Sequence, residues 1–131
     1  MAVASNVHLT TTLEAAGDIS AYRFKFMILS GGQVTVATAV TDSCVGVLQN
    51  KPAAQGRAAE LVVCGETKMV AGAALATVGT AITTDTSGRA VACTAGSDTT
   101  TYILGRTLEV AGAAGDIIRV LVNCINPARA A

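Results

Sequence analysis

The stretch Gly46-Val-Leu-Gln-Asn-Lys-Pro-Ala-Ala-Gln-Gly56, continued by Arg57-Ala-Ala-Glu-Leu-Val-Val63, sets the frame of the chain. The frame returns 59 residues later, without a gap, as Gly105-Arg-Thr-Leu-Glu-Val-Ala-Gly-Ala-Ala-Gly115 and Asp116-Ile-Ile-Arg-Val-Leu-Val122. A glycine at a fixed place indicates positive φ or a close approach of another backbone segment. We therefore interpret Gly46, Gly56, Gly105 and Gly115 as architectural residues of a strand–turn–strand unit that is used twice. We expect the two units to share one fold across a pseudo-twofold axis.

The composition favours a single all-β domain. A chain of 131 residues fits one domain, and its Val (15) and Thr (17) prefer strands because β-branched side chains suit a pleated surface. Ala supplies 25 residues, whereas Phe and Tyr supply two each. Because each Ala buries little apolar area, the core is expected to be thin unless subunits share apolar surface.

Alternation of apolar and polar residues predicts about nine short strands in a small antiparallel β-barrel or sandwich with an extended N-terminal arm. The predicted strands cover residues 21–29, 33–40, 44–48, 59–63, 66–70, 81–84, 90–93, 102–110 and 117–123. Gly65 is predicted to turn the chain after the fourth of them. The resulting division is an N-terminal arm over residues 1–20, a β-barrel domain over 21–124 and a C-terminal tail over 125–131.

The charge balance excludes several classes of partner. Nine basic and nine acidic residues cancel, so no long-range field gathers phosphate, and we predict neither a nucleic-acid nor a membrane partner. No apolar run approaches the ~20 residues that cross a bilayer. The first residues lack the basic start and apolar block of a secretory signal, which predicts synthesis in a cytoplasm.

The sequence offers no catalytic or metal-binding constellation. Cys44, Cys64, Cys93 and Cys124 lack the close spacing of a zinc site, and the chain has one histidine, His8. The cysteines are interpreted mainly as small apolar side chains, since a disulfide requires an oxidising compartment. The carboxylates are dispersed along the chain. We therefore predict that the protein is not an enzyme and binds no cofactor.

An ordered set of turn and glycine motifs resembles a known family. The set comprises residues 46–56, Lys68-Met-Val-Ala-Gly72, Asp85-Thr-Ser-Gly-Arg-Ala-Val91 and Ile103-Leu-Gly-Arg-Thr-Leu-Glu109. Over about residues 21–122 the chain resembles the capsid decoration proteins, also called head-stabilising or cement proteins, of tailed bacteriophages. The resemblance implies a virion structural protein, made in the host cytoplasm, that sits as a homotrimer on the outer surface of an icosahedral capsid. Its partners would be further copies of itself and the major capsid protein, whose neighbouring subunits it would bridge.

The N-terminal arm lies outside that resemblance and is the predicted contact with the shell or a neighbouring subunit. The predicted contact residues are Ala2, Val3, Asn6, Val7, His8, Leu9, Thr10, Thr11 and Thr12. An alternative is a small β-barrel module that binds a ligand such as a carbohydrate, which would need exposed aromatic side chains. An enzyme is a third hypothesis and would need clustered titratable groups in a cleft.

Overall fold

The computed structural model of the protein describes residues 9–130. Eleven strands follow one another along the chain: β1 (Leu9–Glu14), β2 (Phe26–Ser30), β3 (Gln33–Val36), β4 (Gly46–Leu48), β5 (Ala58–Val70), β6 (Ala81–Thr84), β7 (Ala90–Ala92), β8 (Tyr102–Ile103), β9 (Gly105–Thr107), β10 (Ile117–Asn123) and β11 (Ala128–Arg129). A short 3-10 helix, Ser20–Tyr22, precedes β2. Within these residues, no helix has the length and apolar character needed to cross a membrane.

Nine of the strands form one curled antiparallel sheet. Its order is β3-β2-β4-β5-β10-β9-β6-β7, and β1 pairs in addition with β5. The strands β8 and β11 form a separate pair, which places part of the predicted C-terminal tail in a sheet. The prediction of an all-β antiparallel fold is confirmed.

The structural repeat extends over almost the whole sheet, which divides into two equivalent halves. The first half comprises β1, β2, β3, β4 and the start of β5, up to Cys64. The second half comprises the rest of β5, β6, β7, β9 and β10. The single strand β5 thus closes the first half and opens the second.

The strand registers establish this equivalence. In the first half Val47 pairs with Val62 and Leu48 with Leu61. At the matching positions of the second half, Arg106 pairs with Leu121 and Thr107 with Val120. The prediction that the two glycine-framed units share one fold is therefore confirmed.

The equivalence also covers the strands that the glycine frame does not include. Glu14 pairs with Ala58 as Val70 pairs with Ile117, and Phe26 pairs with Val47 as Ala81 pairs with Arg106. One parallel β-bridge closes each half. Ala15 pairs with Val34 in the first half, and Ala71 pairs with Ala90 in the second. The chain is an internal duplication of a five-strand unit.

The four framing glycines fall into two equivalent pairs with two different physical causes. A β-carbon on Gly46 would lie 3.0 Å from the carbonyl oxygen of Val62, and one on Gly105 would collide with the carbonyl oxygen of Leu121. Gly56 and Gly115 have φ of 82° and 94°, the left-handed region that favours glycine. Close strand approach and positive φ thus recur at the same places in both halves.

The buried side chains form two clusters. The smaller cluster fills the first half and comprises Ala15, Ile19, Met27, Val34, Leu48, Ala59 and Leu61. The larger cluster contains most of the second half, but it also takes in Phe26, Val47 and Val62 from the opposite face of the first half. The two halves are therefore packed together through one face of β2, β4 and β5.

Three predicted local structures are wrong. The segment from Ala21 alternates like a strand, but its start is a 3-10 helix and the strand begins at Phe26, because Phe24 has φ of 64°. Gly65 has φ of 124° yet leaves β5 continuous, so it does not turn the chain. The predicted strand over 102–110 divides into β8, which pairs with β11, and β9, which pairs with β6 and β10.

Candidate interaction surfaces

The predicted arm is partly a strand of the sheet. Leu9, Thr10, Thr11 and Thr12 lie in β1 and pair with β5, so the described part of the predicted arm is integral to the first half. The other predicted contact residues, which are Ala2, Val3, Asn6, Val7 and His8, lie outside the described residues. Residues 15–20, the end of the predicted arm, include buried Ala15 and Ile19.

β1 carries an open backbone edge. Across the β1–β5 ladder the amide of Ala15 donates to the carbonyl of Arg57 over 2.9 Å. Because hydrogen-bonded and non-hydrogen-bonded pairs alternate in an antiparallel ladder, the amide of Glu14 points away from β5. The side chains of Thr10, Thr12 and Glu14 are exposed. This edge offers backbone donors to a further segment, as unpaired strand edges do.

The two halves meet where an edge of the second half contacts one face of the first half. The amide of Val70, in the second half, donates to the carbonyl of Phe24 over 3.0 Å. The amide of Phe26 donates to the carbonyl of Gly88, in the turn between β6 and β7, over 2.7 Å. We call Val70, Thr84 and Gly88 the inserting edge of the second half.

The face that accepts this edge is buried. Phe26, Val47 and Val62 lie in register on β2, β4 and β5, so their side chains share one side of the sheet. Their relative exposures are 0%, 0% and 4%. With Phe24 they form the receiving face of the first half.

Each half has both surfaces, but residues 9–130 make only one of the two possible contacts between the halves. The inserting edge of the first half consists of the equivalent residues Glu14, Leu29 and Gly32, all exposed. A β-carbon on Gly32 would meet nothing within 4 Å, whereas one on Gly88 would collide with first-half atoms. The turns differ, since Gly31 and Gly32 connect β2 to β3 whereas residues 85–89 connect β6 to β7.

The receiving face of the second half consists of Gly79, Ala81, Arg106 and Leu121. Gly79 corresponds to Phe24, because the amide of Phe24 donates to Leu48 as that of Gly79 donates to Thr107, and both residues have positive φ. Leu121 is 45% exposed where its counterpart Val62 is buried. The amide of Thr107 donates to the carbonyl of Thr80. Because hydrogen-bonded and non-hydrogen-bonded pairs alternate along the ladder, the amide of the next residue, Ala81, points away from β9. The amide of Ala81 has no acceptor among the described residues.

An exact pseudo-twofold axis is therefore excluded for the contact between the halves. A twofold would pair Glu14 with Gly79 and Gly32 with Ala81, and neither hydrogen bond occurs among the described residues. The two halves share a fold, but they associate head to tail.

Charge on these open surfaces is complementary. The guanidinium of Arg106 donates through Nη1 to the carbonyl of Gly79 over 3.1 Å. Arg106 has no carboxylate partner among the described residues, where the ion pairs are Arg89–Asp85, Arg119–Glu66 and Arg119–Glu109. Glu14 likewise makes no described ion pair, and only the amide of Gln33 approaches it, at 3.5 Å.

The cavities found among residues 9–130 open to solvent. One, of about 360 Å³, borders Ile103, Arg106, Leu121 and Asn126 beside the receiving face of the second half. Across residues 9–130 no cluster of His, Cys, Asp and Glu could hold a metal ion. No aromatic side chain of this part of the chain is fully exposed, since Tyr22, Phe24 and Tyr102 are half-buried and Phe26 is buried. The stacking platform expected of a carbohydrate-binding module is not among these residues.

The four cysteines are free thiols with unequal access to solvent. Cys44, Cys93 and Cys124 are buried, and Cys64 is half-buried. Burial, with a smaller contribution from nearby Cys64, raises the pKa of the Cys124 thiol to about 12. Burial also raises the pKa of Cys44 and of Cys93. Raised pKa values keep these thiols unionised and unreactive at neutral pH.

These features define a class of all-β structural domain whose open surfaces are strand edges and sheet faces. Its fold is similar to that of the crystal structure of the N base of the head fiber gp8.5 of bacteriophage phi29. The TM-score is 0.54 at 18% identity, over 90% of this chain and 96% of that chain. A comparison with curated proteins found no match in sequence. The family model of the phage cement proteins matches residues 3–123, and the chain belongs to that family. It is a structural protein associated with a phage capsid.

Proposed function

We propose that the protein binds the outer surface of an expanded icosahedral capsid as a homotrimer and bridges neighbouring subunits of the major capsid protein. The observation that carries the proposal is the pair of open surfaces on a family member: the unpaired edge of β1 and the exposed receiving face of the second half. Both surfaces are left unfilled by the part of the monomer that the structure describes. A ligand that binds only the assembled shell stabilises that shell by mass action.

The composition supports sharing of surface between chains. The core clusters of the described residues are rich in Ala, Val and Cys, and large apolar side chains remain outside them. Exposed examples are Leu9, Leu29, Ile117, Leu121 and Ile125. Because buried apolar area contributes about 25 cal/mol per Å², covering such residues at subunit contacts adds stability that the monomer core lacks. Synthesis in the host cytoplasm is part of the same proposal.

The predicted N-terminal contact residues are assigned to capsid binding in this proposal. Since Leu9–Glu14 is a strand of the first half, the segment to remove is residues 2–8. Deletion of these residues is expected to weaken capsid binding and to leave the β-sheet folded. Replacing residues 2–8 by a Ser/Gly segment of equal length separates the effect of sequence from that of length.

Cosedimentation with expanded capsids tests the proposal. The intact chain is expected to pellet with the capsids at saturable stoichiometry and to raise the temperature at which the shells disassemble. The chain with residues 2–8 deleted and the Ser/Gly chain are expected to remain mostly in the supernatant, with unchanged far-UV circular dichroism. An intact chain that leaves expanded capsids undecorated and no more heat-stable overturns the proposed function. Equal pelleting of all three chains overturns the role of residues 2–8.

A further inference from the structure

The contact between the two halves supplies a template for the contact between two copies of the chain. Inside the molecule the inserting edge of the second half fills the receiving face of the first half. Residues 9–130 leave both the equivalent inserting edge of the first half and the equivalent receiving face of the second half open. A head-to-tail contact always leaves one of each surface unfilled, and repetition gives a closed ring or an open filament.

We infer that the occupant of the second half's receiving face is the first half of a neighbouring copy, inserted as the second half inserts into the first. In this contact the amide of Glu14 in one copy approaches the carbonyl of Gly79 in the next. The carbonyl of Gly32 approaches the free amide of Ala81. The inference deepens the proposed homotrimer and rests on it, because it names the surfaces through which three copies close a ring of six similar halves.

Charge supports a second copy as the occupant. The equivalence brings Glu14 of one copy to the carbonyl of Gly79 in the next, and that carbonyl already holds the guanidinium of Arg106 at 3.1 Å. Both side chains lack ion-pair partners among the described residues of the monomer. The inserted edge therefore carries a carboxylate to the one place on the receiving face that presents a guanidinium.

The exposure of side chains at equivalent positions of the two halves supports the same occupant. Thr84, on the inserting edge of the second half, is fully buried, whereas its counterpart Leu29 on the first half is 51% exposed. Leu121 on the open receiving face is 45% exposed, whereas its counterpart Val62 is 4% exposed. Each surface that the monomer leaves open thus carries a large apolar side chain at a position that is buried in the other half.

Charge reversal at Glu14 and Arg106 tests the inference in solution, without capsids. Sedimentation equilibrium is expected to show a trimer for the unaltered chain. Glu14→Arg and Arg106→Glu should each raise the dissociation constant about tenfold or more, because each brings like charges together. The chain that carries both substitutions should return to within about threefold of the unaltered protein, because opposite charges then meet again. Lys51→Glu, a reversal on an exposed loop, serves as the matched control and should change nothing.

Leu29→Ser provides a second variant that does not depend on charge. Its side chain is exposed in the monomer, so the thermal unfolding of the monomer should be unchanged while the trimer weakens. Circular dichroism on every variant identifies any that fails to fold. A monomeric unaltered chain, a double variant no better than the single ones, or a Leu29→Ser trimer of full strength overturns the inference.

Capsid cosedimentation of the same variants separates the two ideas. If the single variants still form trimers but no longer pellet with capsids, the face docks onto the capsid protein and the inference is wrong while the proposed decoration stands. If the single variants are monomers that bind capsids poorly and the double variant recovers both properties, the inference and the trimeric bridge are supported together.

Discussion

Cys64 lies directly opposite Asn123 in the ladder between β5 and β10, and the two residues occupy equivalent positions of the two halves. At Cys64 the last strand of the first half becomes the first strand of the second, with no loop between them. The halves are therefore joined by a continuous strand as well as by a shared buried cluster. We expect them to unfold as one cooperative unit.

Gly65, the first residue after that junction, is expected to resist substitution. Its φ of 124° lies in the region that L side chains rarely adopt. Gly65→Ala should lower the free energy of unfolding by about 1–3 kcal/mol, as measured by urea denaturation. Gly17→Ala is the control, because a β-carbon there meets nothing within 4 Å and φ is not positive. Equal denaturation midpoints for Gly65→Ala and the unaltered protein would show that a side chain at this φ does not destabilise β5.

Gly105 is expected to be indispensable for a different reason, the close approach of β9 to β10. A β-carbon at this position would collide with the backbone of Leu121, which cannot rotate away. Gly105→Ala should cost about 1–3 kcal/mol of stability through overpacking. Gly112→Ala is a matched comparison, because its β-carbon would meet only the carboxylate of Asp116, at 3.4 Å. Thermal denaturation of both variants checks the difference, and a Gly112→Ala variant that is the less stable of the two would refute it.

Asp85 is expected to hold the turn between β6 and β7, which contacts the first half through the carbonyl of Gly88. Its Oδ1 accepts hydrogen bonds from the amides of Ser87 and Arg89, and its Oδ2 accepts from Nε of Arg89. Asp85→Ala should lower stability by about 1–3 kcal/mol, because hydrogen bonds to a charged, largely buried carboxylate are lost.

Hydrogen exchange at Phe26 checks whether the loss reaches the contact between the halves. Its amide donates to Gly88 in the same turn and should exchange faster in Asp85→Ala. Asp98→Ala is the control, since Asp98 caps an exposed turn through the amide of Thr94. Unchanged exchange at Phe26 would show that the turn does not depend on Asp85.

The buried thiols predict a loss of stability in alkali. The pKa of Cys124 rises from 9.0 to about 12 on folding, and that of Cys44 is also raised, in both cases mainly by burial. The folded state therefore keeps protons that the unfolded chain releases. This contribution is fully present below about pH 9 and falls as the pH rises towards 12.

Comparison with a chain that carries Cys44→Ala and Cys124→Ala isolates the effect. The free energy of unfolding of the unaltered protein should fall more steeply between pH 9 and pH 11 than that of the double variant. The variant is expected to be less stable at neutral pH, so the slopes rather than the absolute values are compared. Parallel slopes would argue against buried, unionised thiols at these two positions.

The glycine frame correctly predicted the last two strands of each half, because its glycines mark places where any side chain collides or φ is positive. The first part of each half escaped detection. Phe26 corresponds to Ala81 and Leu29 to Thr84, and a ladder of backbone hydrogen bonds tolerates such exchanges without a change in register. The duplication is therefore preserved more completely in strand pairing than in side chains.

The interaction surfaces depended on information that local sequence does not contain. The pairing of β1 with a strand some fifty residues away decides that Glu14 lies on an open edge, and no periodicity reveals such a distant partner. The apparent strand through Tyr22 and Phe24 failed for a related reason, because alternation does not report the positive φ at Phe24. Arg106 is identified as part of an open face only when it is compared with its buried counterpart in the other half, Val47.

The continuity of β5 also has a mechanical consequence. In the capsid-bridging role proposed above, outward pressure on the shell would stretch the protein along the shell surface. Tension that draws the two halves apart passes along the covalent backbone of β5 and loads the flanking ladders of β1 and β10 in shear, so that many hydrogen bonds resist at once instead of opening one after another. Two domains joined by a flexible linker would yield at the linker first, whereas this chain has no slack at the junction of its halves.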